Sequence, residues 1–247
     1  MSHRKQLLAA VRQGDYAHAG EEEAIEIAMG LIPKRSEQLL LDVGCGLGGT
    51  AHYLEQQGWG RATGVDIDPD MVNYAKSHYS HIKFFEAAAK ALSTLFLEPK
   101  FDVVYSFNAF FCFPEQGLCL NEMAKVAKHH ADLIIFDYAS PGVYTNKNPF
   151  FDPEGRAFSK IFSPINLDTI ENILIKNDWE LKNIINLRDK YLNWYEWLVE
   201  KMNSQKSDLI QKFGELTFDG LYDGYVVLLD LLSSGEVSGA VIHAKRQ

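Results

Sequence analysis

LLLDVGCGLGGT, residues Leu39–Thr50, decides how this chain folds. Leu39–Val43 is a short apolar run closed by glycines, as expected of a strand buried on both faces. Gly44, Gly46 and Gly49 satisfy GxGxxG, while Asp42, Gly44, Gly46 and Gly48 satisfy DxGxGxG. Both patterns meet one physical need. Glycine tolerates positive φ and lets a ligand lie against bare backbone at the start of the next helix. That helix is predicted over Gly49–Gln57, with Ala51 and Leu54 apolar and Gly58 as its stop. A second stretch, GVDIDPDM at Gly64–Met71, brings a strand over Ala62–Val65 to an end at the carboxylate of Asp66.

Strands and helices alternate on either side of these stretches. EEEAIEIAMGL, Glu21–Leu31, predicts a helix that starts acidic and stops before Pro33, and Pro69–Tyr79 predicts another. Ile82–Phe85, Phe101–Phe107 and Leu133–Tyr138 read as the third, fourth and fifth strands. This alternation implies parallel βαβ units wound on both sides of a sheet. After Tyr138 the rhythm changes. Residues 140–164 are rich in Pro, Gly, Asn and aromatics and predict a long ordered loop or short lid. Asn166–Asn177 predicts a helix, Trp179–Leu187 a sixth strand, Lys190–Leu232 two or three helices, and Val237–Ala244 a final strand.

The chain has 247 residues, of which 47% are hydrophobic and 23% charged, an ordinary globular composition. One domain over 1–247 is expected: an N-terminal helical cap over 1–38, a ligand-binding core over 39–139, and a lid loop, helical insert and last two strands over 140–247. A formal charge of −9 supplies no basic face for a phosphate backbone, so nucleic acid is excluded as a partner. Cys45, Cys112 and Cys119 are odd in number and lack CxxC spacing, which argues against a disulfide framework or zinc knuckle and fits a reduced cytoplasm. MSHRKQLLAAVRQGDY holds only a five-residue apolar patch, and no later run reaches membrane-spanning length. A soluble, cytoplasmic protein with no membrane partner is expected. His78 and His81 share a helix face without a carboxylate partner, and His129 and His130 occupy a helix-to-strand turn, so no metal site is expected.

The nature of the ligand turns on two carboxylates. Asp66 stands where a ribose-hydroxyl acceptor belongs, about 20 residues past the glycines, and this holds for NAD enzymes as well. An NAD(P)-binding oxidoreductase therefore stays as an alternative. Asp42 discriminates, because a carboxylate so near the turn repels a pyrophosphate and attracts an ammonium or a sulfonium. S-adenosylmethionine carries both cations beside an adenosine. Its ribose is matched to Asp66, its methionine part to Gly44, Cys45, Gly46 and Gly48, and the flanks of its adenine to Ile67 and Met71.

LLDVGCGLGG, GVDIDPDM and FDVVYSFNAFF (Phe101–Phe111), in this order and spacing, resemble the motifs of the class I S-adenosylmethionine-dependent methyltransferases over Leu39–Tyr138. The resemblance implies a Rossmann-like α/β fold. Its sheet would be seven-stranded and mostly parallel, in order 3-2-1-4-5-7-6 with the last strand antiparallel, helices on both faces and a helical insert before the last strand. The family usually places an aspartate after the third strand to accept from the adenine amino group. KFFEAAAKAL (Lys83–Leu92) has Ala88 there, so the resemblance leaves adenine to the backbone of Ala88 and Ala89 or to Glu86. Loss of one charge-assisted hydrogen bond weakens affinity by about 1.5–3 kcal/mol without removing the site. A non-catalytic S-adenosylmethionine-binding protein is thus a second alternative.

Transfer from a sulfonium is an in-line displacement with a neutral leaving group, so alignment and exclusion of water are the main requirements, and no obligatory acid or base is assigned. Candidate acceptor residues must reach the C-terminal ends of the strands. In related methyltransferases the stretch matching DYAHAG (Asp15–Gly20) closes over the cofactor, which makes Tyr16 and His18 candidates. In FNAFFCF (Phe107–Phe113), Phe107 and Asn108 are assigned to the cofactor, with Asn108 bonding its methionine end or the acceptor, and Phe110, Phe111 and Phe113 to a wall that excludes water. Asp137 is placed to steady an ammonium and Tyr138 to donate to the substrate. Tyr191, Trp194, Tyr195 and Leu198 share one helix face that packs or roofs the acceptor pocket, and Tyr225 follows further on. WYEWLVEKM and YDGYVVLLDLLSSGEVSGAVIHAKR are also similar to methyltransferases acting on small amines, such as the sarcosine and dimethylglycine N-methyltransferases. A small-molecule acceptor methylated at nitrogen is expected.

Overall fold

The computed structural model describes residues 3–12, 14–145, 148–149 and 161–247. The expected loop over 140–164 therefore lies outside the described residues at 146–147 and 150–160. Helix α1 (His3–Arg12) leads into α2 (Glu21–Met29), whose first turn carries Glu21, Glu22 and Glu23 and whose inner face buries Ala24, Ile25, Ala28 and Met29. It ends two residues before the predicted Leu31, where the α-helical pattern gives way to i→i−3 bonds from the Leu31 amide to Ala28 O at 3.5 Å and from the Ile32 amide to Met29 O at 3.0 Å.

The βα repeat follows: β1 (Leu39–Val43), α3 (Gly49–Gln56), β2 (Arg61–Asp66), α4 (Pro69–His78), β3 (Lys83–Glu86), α5 (Leu92–Leu95), β4 (Phe101–Phe107), α6 (Gln116–Val126) and β5 (Ala127–Ser140). Asp68 caps α4 by accepting the Asp70 amide at 2.9 Å, with Pro69 at the first helical position, where a missing N–H loses nothing. β5 starts well before the predicted Leu133. Its early residues Lys128, His129 and His130 are exposed and gave no apolar signal.

The predicted helix over Asn166–Asn177 is shorter and differently begun. Ile165–Asn166 form a two-residue strand, β6, that pairs with the end of β5, and only Ile170–Ile175 are α-helical, as α7. Asn166 Oδ1 accepts the Asp168 amide at 2.9 Å, an Asx turn that competes with helix there. Then come β7 (Trp179–Asn186), the three helices α8 (Arg188–Ser204), α9 (Lys206–Phe213) and α10 (Glu215–Ser234), and β8 (Ser238–Arg246).

The sheet runs β3-β2-β1-β4-β5-β8-β7, with β6 beside β5. β8 is antiparallel to both β5 and β7, and the other pairs are parallel. Apart from the extra β6, this is the order implied by the sequence resemblance. Alternate residues feed two cores. Leu40, Val103, Tyr105, Ile134, Phe136 and Val241 face one side, packed by α1, α2, α3, α4, α8, α9 and α10. Leu41, Val104, Leu133, Ile135, Ala240 and Ile242 face the other, packed by α5, α6 and α7. On that side Trp179 is fully buried and donates to Leu120 O at 3.0 Å. No helix among the described residues is long and apolar enough to cross a membrane.

Candidate active site

β1, β2 and β4 all end at one edge of the sheet, where a cavity of about 560 Å³ opens. Val43, Gly44, Gly46 and Leu47 supply its floor, and Val65–Asp68 and Met71 one side. Ala87–Lys90 and the stretch after β4 form the far wall, and Leu8 and Ala9 of α1 close it with Tyr16 and Ala17 of the segment that follows α1. Most of these groups are apolar, and Asp66 and Asp68 are the carboxylates among them.

The turn after β1 is held by its neighbour strand. Val65 O accepts the amides of Gly44 and Cys45 at 2.8 and 3.0 Å, and Asp66 Oδ2 accepts the Gly46 amide at 2.8 Å. Three consecutive alternate glycines take positive φ: 84° at Gly44, 52° at Gly46 and 88° at Gly48. They serve different ends. A Cβ on Gly46 would enter open cavity, its nearest neighbour being Ala17 Cβ at 3.7 Å. On Gly48 it would strike Phe84 at 2.9 Å and Ala75 at 3.1 Å, so this glycine lets α3 sit close to the sheet. Asp42 lies within β1, buried behind the turn, and burial pushes its carboxyl well above the usual carboxylate range. Cys45 is buried over Gly64.

Of the residues singled out in the sequence, Gly44, Gly46, Asp66, Ile67, Met71, Ala88, Ala89, Asn108 and Tyr16 line the cavity. Asp42, Cys45, Gly48 and Phe107 do not. Asn108 has φ of 45°, unusual for a residue with a side chain, and its amide donates to Phe136 O at 2.8 Å. Strained backbone of this kind persists where the surroundings over-determine it, and here it turns the chain from β4 across the cavity mouth.

Beside the cavity, the remaining acceptor candidates gather in a buried aromatic cluster. His18 lies 5.1 Å from the ring of Phe107, and its Nε2 is 3.0 Å from Thr50 Oγ1. Burial drives its pKa down to about 3, so the ring is neutral. Phe111 packs edge-on against Tyr138 with centroids 5.0 Å apart. The Tyr138 and Tyr195 hydroxyls are hydrogen bonded to each other, and the Tyr195 ring is 5.7 Å from that of Tyr225. Trp194 reaches outward, where its Nε1 donates to Glu23 Oε2 at 2.9 Å.

Asp137 is buried and accepts the amides of Phe111 at 3.1 Å and Tyr138 at 2.7 Å. Burial raises its pKa to about 7, against the pull of those amides. It therefore braces the turn that follows β4. Tyr191 links cluster and cavity, since its hydroxyl donates to Asn108 Oδ1 at 3.0 Å.

Sequence reasoning passed over the contribution of α1. Leu7, Leu8 and Val11 are buried and Leu8 and Ala9 line the cavity. The signal was the spacing in QLLAAVR, which puts Leu8, Ala9 and Arg12 on one helix face.

Residues 41–135 match the family described as the methyltransferase domain. Over 91% of its length the chain is 24% identical to a phosphoethanolamine N-methyltransferase of Triticum aestivum, of which it spans 44%. The chain thus covers less than half the length of that relative. Among solved structures, phosphoethanolamine N-methyltransferase 2 of Haemonchus contortus, in complex with phosphomonomethylethanolamine and S-adenosylhomocysteine, superposes with a TM-score of 0.83 at 18% identity, over 98% of this chain and 56% of the other. A Galdieria sulphuraria protein assigned as a sarcosine dimethylglycine methyltransferase gives 0.81 at 15% identity, over 98% and 96%. Together with the strand order and the glycine turn, these matches show the class I methyltransferase fold, and residues 41–135 are the part of the chain similar to the methyltransferase domain.

Proposed function

We propose that the protein transfers a methyl group from S-adenosylmethionine to an amine nitrogen of a small molecule. The carrying observation is the pairing, across one cavity, of a side-chain-free surface at Gly46 with the carboxylate of Asp66. In this reading Asp66 receives the ribose hydroxyls, the turn Gly44–Gly46 underlies the methionine part, and Ile67 and Met71 flank the adenine. A carboxylate has room for about four hydrogen bonds, so holding the Gly46 amide and receiving a hydroxyl are compatible. The adenine edge meets the backbone of Ala88 and Ala89.

Bound there, S-adenosylmethionine supplies an electrophilic methyl: the amine lone pair forms the N–C bond as the S–C bond breaks, leaving a neutral thioether and an ammonium that loses a proton. The chain's own part is positional. Asn108, held by Tyr191, faces the cavity at the end of β4, and Tyr16, His18 and the aromatic cluster shut out water. A dry, pre-aligned site supplies most of what such a displacement needs. The wall of neutral aromatics and the absence of a basic face favour a small acceptor.

Isothermal titration with S-adenosylhomocysteine and with NAD(H), followed by turnover on a panel of small amines, tests the reading. S-adenosylhomocysteine is expected to bind and NAD(H) to fail, with S-adenosylhomocysteine released in the presence of an amine. Binding without release from any acceptor would leave a non-catalytic binding protein in its place.

A further inference from the structure

The cavity wall that follows β3 is made of three successive alanines, Ala87, Ala88 and Ala89, all half-buried. Two backbone bonds fix where they stand. The Ala87 amide donates to Asp66 O at 3.0 Å, so the wall is tied to the strand that carries the proposed ribose acceptor. The Ala88 carbonyl accepts the Ala91 amide at 2.9 Å and turns the chain away through the short helical turn Ala89–Ala91. With Ile67 and Met71 flanking the purine, the ring edge that carries the amino group faces these methyl groups.

The side chains that could accept from that amino group are engaged elsewhere. Among the described residues that line the cavity, the carboxylates are Asp66 and Asp68. Asp66 accepts the amides of Gly46 and Asp68, and Asp68 caps α4. Glu86, the last residue of β3, is exposed and does not line the cavity. Cys119 lines it with a thiol that burial keeps protonated, its pKa pushed up to about 11, and that donates to Pro114 O at 3.5 Å. Lys90 carries donors only. Its Nζ pairs with Glu115 at 3.0 Å, and the two side chains are 46% and 60% exposed, so this end of the cavity opens to water beside them.

We propose that the protein holds the purine of its cofactor by shape and main chain and leaves position 6 unread, so that adenosyl donors with a substituted or missing 6-amino group are bound as well. This deepens the methyl-donor reading of the cavity and rests on it. An amino group at an open rim keeps its water, whereas one stripped of a charged acceptor in the wall would lose about tenfold or more in affinity. The alanines also leave space. Ala88 ends at its Cβ, so alkyl groups on the exocyclic nitrogen can lie over the wall toward Lys90 and the solvent.

Calorimetric titration of three compounds into the native protein tests this: S-adenosylhomocysteine, its 6-deamino analogue and its 6-dimethylamino analogue. The second replaces the amino group by hydrogen, and the third has no N–H left. All three are expected to bind with Kd values within about threefold of one another. Ala88→Asp places a carboxylate on the same wall, at backbone dihedrals (φ −78°, ψ 140°) that aspartate readily adopts. This variant is expected to bind S-adenosylhomocysteine at least tenfold more tightly than either analogue, a difference of about 1.4 kcal/mol. Should Ala88→Asp fold poorly, Ala88→Asn offers an uncharged acceptor and is expected to show the same preference at about threefold or more. Native protein that binds either analogue tenfold more weakly than S-adenosylhomocysteine would overturn the proposal, because the wall would then read position 6. A folded variant that treats all three compounds alike would overturn it too, by removing the purine edge from Ala88. Failure of S-adenosylhomocysteine itself to bind would instead overturn the methyl-donor reading.

Discussion

The carboxylate of Asp66, at the tip of β2, accepts the backbone amide of Gly46 at 2.8 Å, so the second strand fixes the turn that follows the first. Its other oxygen accepts the Asp68 amide at 2.9 Å and so sets the start of α4. One side chain holds both edges of the proposed cofactor site. Asp66→Ala is expected to weaken S-adenosylhomocysteine binding by about 1.5–3 kcal/mol, through the lost ribose bonds and a looser turn. Calorimetry on a variant shown to be folded by circular dichroism measures it. Unchanged affinity would remove Asp66 from the site.

Gly46 and Gly48 look equivalent in the sequence and have opposite surroundings, so they should fail in different ways. Gly46→Val puts a side chain into open cavity and is expected to abolish cofactor binding, with a loss of only about 1–2 kcal/mol in stability from its positive φ. Gly48→Val drives into Phe84 and Ala75 and is expected to destabilise the fold by about 1–3 kcal/mol or more. Melting temperature and ligand titration together resolve the two. Like effects from both variants would contradict the placement of the turn.

This pair also shows where the sequence was legible. The alternating apolar runs carried the sheet, because strands buried on both faces announce themselves: Leu40 and Leu41 feed opposite cores and both had to be apolar. GxGxxG placed the turn without saying which glycine faces the cavity, since a tight turn and a close helix ask for the same residue. β6 and the early part of β5 were invisible because Ile165–Asn166 is too short for a period and Lys128–His130 are solvent-facing. The aromatic stripe of α8 was legible as a face. That Tyr191 reaches Asn108 while Trp194 reaches Glu23 depends on how α8 lies against β8, which no local pattern encodes.

Asp137 gives the protein a pH signature. Its pKa of about 7 in the folded chain lies above the usual value of 3.8. The folded state therefore holds a proton that the unfolded state has released between those limits. Stability from this group is fully present below pH 3.8 and falls as pH rises to about 7, by up to about 1.4 kcal/mol per pH unit across that window. Urea unfolding of the native protein and Asp137→Asn at several pH values isolates the effect, because the other titrating groups cancel in the difference. The stability of the native protein relative to the variant is expected to drop across this window and to level off above it. A difference independent of pH would mean that Asp137 is ionised throughout.

Gly239 in β8 makes the room that Tyr191 occupies: a Cβ there would fall 2.0–2.4 Å from the tyrosine ring. The ring is fully buried and has nowhere to retreat, so Gly239→Ala must displace α8 or tilt the tyrosine off Asn108. Overpacking of this kind destabilises by about 1–3 kcal/mol. The cofactor contacts proposed for β1 and β2 lie on the other side of β4 and β5 from β8, so S-adenosylhomocysteine binding is expected to survive while turnover falls. Tyr191→Phe provides the control. It keeps the ring and loses one hydrogen bond, worth about 0.5–1.5 kcal/mol, and is expected to lower turnover several-fold with little change in stability. If Gly239→Ala lowered cofactor affinity and turnover equally, the aromatic cluster would be holding the cofactor turn rather than the acceptor.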